Sequence, residues 1–164
     1  MRRSVLALAV AVGLVIALPG RAELSGSSEL MRKLMESPRA TRADCIRALS
    51  VLTDGRKATG EICSLLERFK QKRWIRGDEG NELTLPASRG YASLLFMRAI
   101  GEKGGLLGRI FDSSEHLAYR HMCYLGLIPR GGSVVTLSGP ELVSLVSLSR
   151  RQFASVEGPK GGRS

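Results

Sequence analysis

The chain predicts an all-α domain of five to six short helices in repeated helix–loop–helix units, packed on one core, with two short extended segments. Two observations carry that prediction. Apolar residues recur at i, i+3, i+4 and i+7 in several separate segments, most of them bounded by a Ser/Thr start or a Gly-rich end. Hydrophobic residues make up 43% of the 164 positions but aromatics only 5%, so the core must come from Leu, Val, Ile and Ala.

Residues 1–22 read as a secretory signal peptide. Arg2 and Arg3 form a basic start, Val5 to Leu18 is apolar, and Gly20 and Ala22 are small residues flanking a cut. The apolar stretch is about 14 residues long, short of the roughly 17–25 that span a bilayer. Retained, it would act as a signal anchor. Cleaved, it leaves about 140 residues, which suits one domain with a single core. Residues 23–40 then form a linker, with a polar spacer and a short helix from Ser28 to Glu36 that stops before Pro38.

The helical repeat domain covers 41–156. Thr41 is the N-cap of its first helix and Asp44, three residues on, is the capping-box acid. Cys45, Ile46, Leu49 and Leu52 make one stripe, and Asp54-Gly55 ends it. Ile62, Leu65, Leu66 and Phe69 form the next face, closed by Trp74-Ile75 before a polar loop. Leu83-Thr84-Leu85-Pro86 is extended. A helix from about Ser88 turns Tyr91, Ala92, Leu95, Phe96 and Ala99 inward and stops at Gly101.

A short turn carries Leu106, Leu107, Ile110 and Phe111. Ser113 or Ser114 caps the following helix, whose inner face is Leu117, Ala118, His121, Met122 and Leu125. Leu127-Ile128-Pro129 leads to the extended segment Ser133 to Leu137. The last helix follows Ser138 and buries Leu142, Val143, Val146 and Phe153, and residues 157–164 are a disordered tail. Residues 61–95 and 115–147 share one plan, with Trp74-Ile75 matching Leu127-Ile128 and Thr84-Leu85 matching Thr136-Leu137. Residues 41–53 supply an earlier copy of the second helix alone. One such unit would leave its apolar face wet, so the copies must pack together.

Thr41-Arg42-Ala43-Asp44, followed by Cys45 to Leu52, resembles the helix start of S-layer homology repeats. Phe111 to Tyr119, running on to Tyr124-Leu125-Gly126-Leu127-Ile128, is similar to the first helix and Gly-aliphatic turn of that repeat. The later helix starts, Pro86-Ala87-Ser88-Arg89 and Ser138-Gly139-Pro140-Glu141, depart from the Thr-Arg-Ala-acid tetrad. The position of Leu117 is usually aromatic in the family. The resemblance implies helix–loop–helix units that commonly associate in threes. It also implies attachment of an exported protein to an anionic wall polymer or outer-envelope component. Thr41, Arg42 and Asp44 are then the candidate ligand-binding residues, with the planar Arg42 guanidinium suited to a carboxylate or phosphate. The competing reading pairs Arg42 within the protein and keeps Asp44 as a helix-start acid.

The formal charge of +10 agrees with an anionic partner, and export excludes cytoplasmic nucleic acid as that partner. Lys70 to Trp74 joins cations to an aromatic ring; on an exported chain it reads as a helix end with Trp74 anchored in the core. His116 and His121 lie about 140° apart on one helix and do not converge on a metal. The run Gly101 to Gly108 lacks the order of a phosphate-binding loop, and no nucleophile elbow or metal-ligand spacing is present. The residues therefore predict no cofactor, no metal and no catalysis. Cys45, Cys63 and Cys123 read as small hydrophobes of helix faces; export permits one bridge, Cys45–Cys63 being the leading pair. The expected function is a non-enzymatic binding module of the bacterial periplasm or cell envelope, contacting an anionic wall polymer or lipid headgroups. The alternative is a secreted or periplasmic protein–protein adaptor. With the signal removed it is not an integral membrane protein.

Overall fold

The computed structural model describes residues 21–54, 60–77, 82–104 and 114–156, with side chains over 26–99 and 114–151 within those ranges. Six helices are found there: α1 (Arg21–Glu36), α2 (Arg42–Asp54), α3 (Ile62–Gln71), α4 (Arg89–Gly104), α5 (Glu115–Tyr124) and α6 (Gly139–Val156). The fold is all-α. The residues of the predicted signal peptide up to Gly20, the predicted turn at 106–111 and the predicted tail from Glu157 lie outside the described residues, as do the side chains of Phe153 and Ala22.

The helices pair into three units, α1–α2, α3–α4 and α5–α6, joined at one small motif. The Ala40 N–H donates to Leu137 O at 2.9 Å, the Leu137 N–H to Ala87 O at 2.8 Å, and the Ala87 N–H to Ala40 O at 2.8 Å. These three bonds close a ring of loop backbones. All three residues are fully buried, so each donor needs a protein acceptor, and the loops supply them to one another. The extended segments do not form a sheet; they contribute isolated bridges, Thr41 with Pro86 and Ser88 with Thr136.

Packing follows the same cyclic order. The first helix of each unit lies on the second helix of the unit before it: α3 on α2, α5 on α4, and α1 on α6. Leu34 of α1 is buried in the common core, with Leu30 and Met31 packed against it. This corrects the expectation that the first unit is a lone second helix behind a linker. Here α1 starts at Arg21 instead of Ser28, so residues 23–27 are helical and the proposed cut at Ala22 falls in its first turn. Ser and Gly in that stretch are poor helix formers, and docking on α6 outweighs their propensity.

The predicted repeat is present, with one change of register. The Trp74 N–H bonds to Phe69 O and the Leu127 N–H to Met122 O, both at 2.9 Å, each after a left-handed residue, Arg73 (φ 59°) or Gly126 (φ 71°). These are matching Schellman ends, and they set Trp74-Ile75 opposite Leu127-Ile128 as expected. The ring, however, equates Leu137 with Ala87, so Thr136 corresponds to Pro86. The Arg42 N–H to Leu85 O bond repeats as Arg89 N–H to Val135 O, and that of Ala43 to Leu83 as Gly90 to Ser133. Thr84-Leu85 therefore matches Val134-Val135, two residues from the predicted register.

Helix faces depart from expectation at two places. In α4 every side chain from Tyr91 to Ala99 is buried, because α5 covers the side turned away from α2, and the helix continues past Gly101 to Gly104. In α5 the buried residues are Ala118, Tyr119 and Met122; Leu117 is exposed and His121 half-buried. Tyr119 replaces Leu117 inside because its hydroxyl has work in the loop. It donates to Pro129 O at 3.2 Å and accepts from the Gly132 N–H at 2.9 Å, so His121 is displaced from the core face.

Candidate functional site

The residue after each ring member caps an inner helix. The Thr41 N–H and Oγ1 both donate to Asp44 Oδ2, at 2.9 and 2.7 Å, and the Asp44 N–H donates back to Thr41 Oγ1 at 3.2 Å. Ser138 repeats this capping box with Glu141, its N–H and Oγ lying 2.9 and 3.0 Å from Oε2. Ser88 accepts from the Tyr91 N–H at 2.9 Å and turns its hydroxyl to Glu115 Oε2 of α5 at 3.2 Å.

The next residue is Arg in two units. Arg42 Nη1 lies 2.6 Å from Glu82 Oε2, and its guanidinium carbon is 4.9 Å from the centre of the Tyr91 ring. Arg89 Nη2 lies 2.5 Å from Glu141 Oε1. The two arginines make equivalent reaches: each crosses to the third position of the following inner helix, where Tyr91 or Glu141 stands. In the third unit the place is taken by Gly139. A Cβ there would run into the Leu34 carbonyl oxygen, so the end of α1 occupies the space an Arg would need.

The two junctions differ in burial and therefore in chemistry. The Arg89 and Glu141 side chains are only 14% and 24% exposed. Burial pushes the Glu141 carboxyl upward, but the Ser138 N–H, the Arg89 guanidinium and the Ser138 hydroxyl outweigh it and hold it below its ordinary value. That pair is structural. Arg42 is 23% exposed but its partner Glu82 is 54% exposed on a loop, so this pair opens to solvent.

Of the predicted residues, Thr41 and Asp44 are brought together and spent on each other in the helix cap, while Arg47 stands 3.7 Å from Asp44. Arg42 is at the surface junction, held by Glu82. Sequence reasoning missed Glu82, Tyr91, Arg89 and Glu141. The signal for the last two was the split tetrad itself. Ser88-Arg89 carries its first half and Ser138 with Glu141 its second, and the fold joins the halves across two units.

The other singled-out residues play structural parts. Trp74 is buried, with its ring 5.1 Å from Phe69 and Lys72 Nζ 4.4 Å above it. His116 Nδ1 is 3.4 Å from Ser133 Oγ and His121 lies beside Tyr124. The three cysteines are free thiols: Cys45 is fully buried on α2, where burial raises its pKa, and Cys63 is exposed on the first turn of α3. A Cys45–Cys63 bridge is not formed. Among the described residues no three His, Cys, Asp or Glu side chains gather as metal ligands, and no helix is long and apolar enough to cross a membrane. Comparison with family models, curated proteins and solved structures finds no match to this chain.

Proposed function

We propose that the chain is an exported, non-enzymatic binding module of a bacterial cell envelope, related to S-layer homology repeats. Its ligand is an anionic wall polymer or lipid headgroup. The observation that carries this reading is the exposed Arg42–Glu82 pair beside Tyr91. A guanidinium fixed by the helix start and backed by an aromatic face is prepared for a planar anion. Glu82 holds the place that a ligand carboxylate or phosphate would take. An exposed pair of this kind is worth about 0–1 kcal/mol, so the exchange costs little. Closure of three helix–loop–helix units agrees with what the resemblance implies, and the charge of +10 favours approach to anionic surfaces.

Co-sedimentation with purified wall and outer-membrane fractions tests it. Wild-type protein is expected to be retained at low ionic strength and released by salt, while Arg42→Ala, with unchanged helical circular dichroism, is retained less. Retention indifferent to both salt and the substitution would overturn the proposal.

A further inference from the structure

One groove of the cyclic repeat differs from its counterpart in the preceding unit. An open groove of about 550 Å³ lies between the turn after α5 and the exposed side of α6. Its walls include Leu127, Pro129, Glu141, Ser144 and Leu148, with Arg130 at the rim. At the equivalent place in the preceding unit, between the turn after α3 and α4, the side chains of Trp74, Tyr91, Leu94 and Arg98 are all buried. The correspondence of Ser138 with Ser88 places Leu148 at the position of Arg98 and Glu141 at that of Tyr91. The matching Schellman turns place Leu127 at the position of Trp74.

In the preceding unit, Arg98 Nη1 donates to Trp74 O at 3.1 Å, in a buried setting. In the open groove the corresponding carbonyl, Leu127 O, receives no hydrogen bond among the described residues, because Leu148 has nothing to donate. On the other wall stands the Glu141 carboxylate, whose Oε2 accepts twice from Ser138 while Oε1, bonded to Arg89, keeps a second lone pair for a further donor. We infer that this groove is a docking site for an arginine side chain of a partner polypeptide. That guanidinium takes the place of Arg98 and donates to Leu127 O and Glu141, while its methylenes lie along Leu148 and Pro140. A guanidinium fits better than an ammonium, since its forked donors reach two acceptors on opposite walls. A carboxylated or phosphorylated ligand has no donor for Leu127 O and would leave that carbonyl unpaired. The site is thus separate from the Arg42 junction and does not depend on its reading.

The test is an amide chemical-shift titration of the full chain with N-acetyl-arginine amide, with N-acetyl-citrulline amide as the uncharged control. Saturable shifts are expected at Leu127, Ile128 and Ser144 with the arginine compound only. Leu148→Arg supplies the missing guanidinium from within and should reduce those shifts at least tenfold, while Arg130→Glu should enlarge the response. Equal shifts from both compounds, or an undiminished response in a folded Leu148→Arg protein, would overturn the inference.

Discussion

Arg89 and Glu141 form the more buried of the two arginine junctions. Their carboxylate accepts from an arginine and from both donors of Ser138, with the Arg89 side chain largely covered. Glu141→Gln keeps the shape but loses the charge. We expect it to lower the unfolding free energy by about 1–3 kcal/mol in urea titration at neutral pH, the range for a charged hydrogen bond. The pH dependence follows from the direction of the shift. A carboxyl with a lowered folded pKa contributes its stability above the ordinary carboxylate range, and that contribution is lost as pH falls through the lowered value. The acid side of the stability profile should therefore flatten in Glu141→Gln relative to wild type. Parallel acid limbs would place the origin of acid sensitivity elsewhere.

The helices repeat one another closely enough to predict where each is strained. Arg73 and Gly126 occupy the same left-handed C-terminal position of α3 and α5, yet only Gly126 is suited to it. Arg73→Gly is expected to raise stability by up to about 1 kcal/mol, and Gly126→Ala to lower it by about 1–2 kcal/mol, measured by thermal or urea unfolding. Gly139→Ala belongs to a different class, because its Cβ would drive α1 off α6 at the Leu34 carbonyl. A loss above about 3 kcal/mol is expected there, against almost none for Gly77→Ala, which meets open space.

At this scale much was legible in the sequence. The capping box at Thr41, the serine start at Ser138 and the apolar stripes on α2, α3 and α6 are local signals, and they located those helices. The extent of α1 was not legible, since its stability comes from a partner at the other end of the chain. The register of the second loop was misplaced because Thr84-Leu85 and Thr136-Leu137 look alike. What defines equivalence there is the backbone ring, and that pattern is written in hydrogen bonds rather than in side chains. Arg42 was found because its whole tetrad is contiguous. Arg89 was missed because its acid lies one unit away.

For the whole molecule, the ring makes the first and last described helices interdependent. Its bonds join loops that are far apart in sequence, and α1 closes the cycle by covering α6. The Ala40, Ala87 and Leu137 amides should accordingly be among the slowest to exchange with solvent, with similar protection, since opening one loop opens the ring. An Ala40 amide that exchanges much faster than the other two would mean that the first unit is not part of the cooperative structure. Function on this account sits at the ring's edge. The fold buries one arginine junction for stability and leaves the other, Arg42 with Glu82, open.

That difference defines the decisive experiment: binding isotherms of wild type, Arg42→Ala and Glu82→Gln on one purified anionic envelope polymer at fixed low salt. If Glu82 holds the ligand's place, Glu82→Gln frees the guanidinium and binds more tightly, while Arg42→Ala binds more weakly. Wild-type affinity in both variants, or weaker binding in Glu82→Gln, would contradict the account.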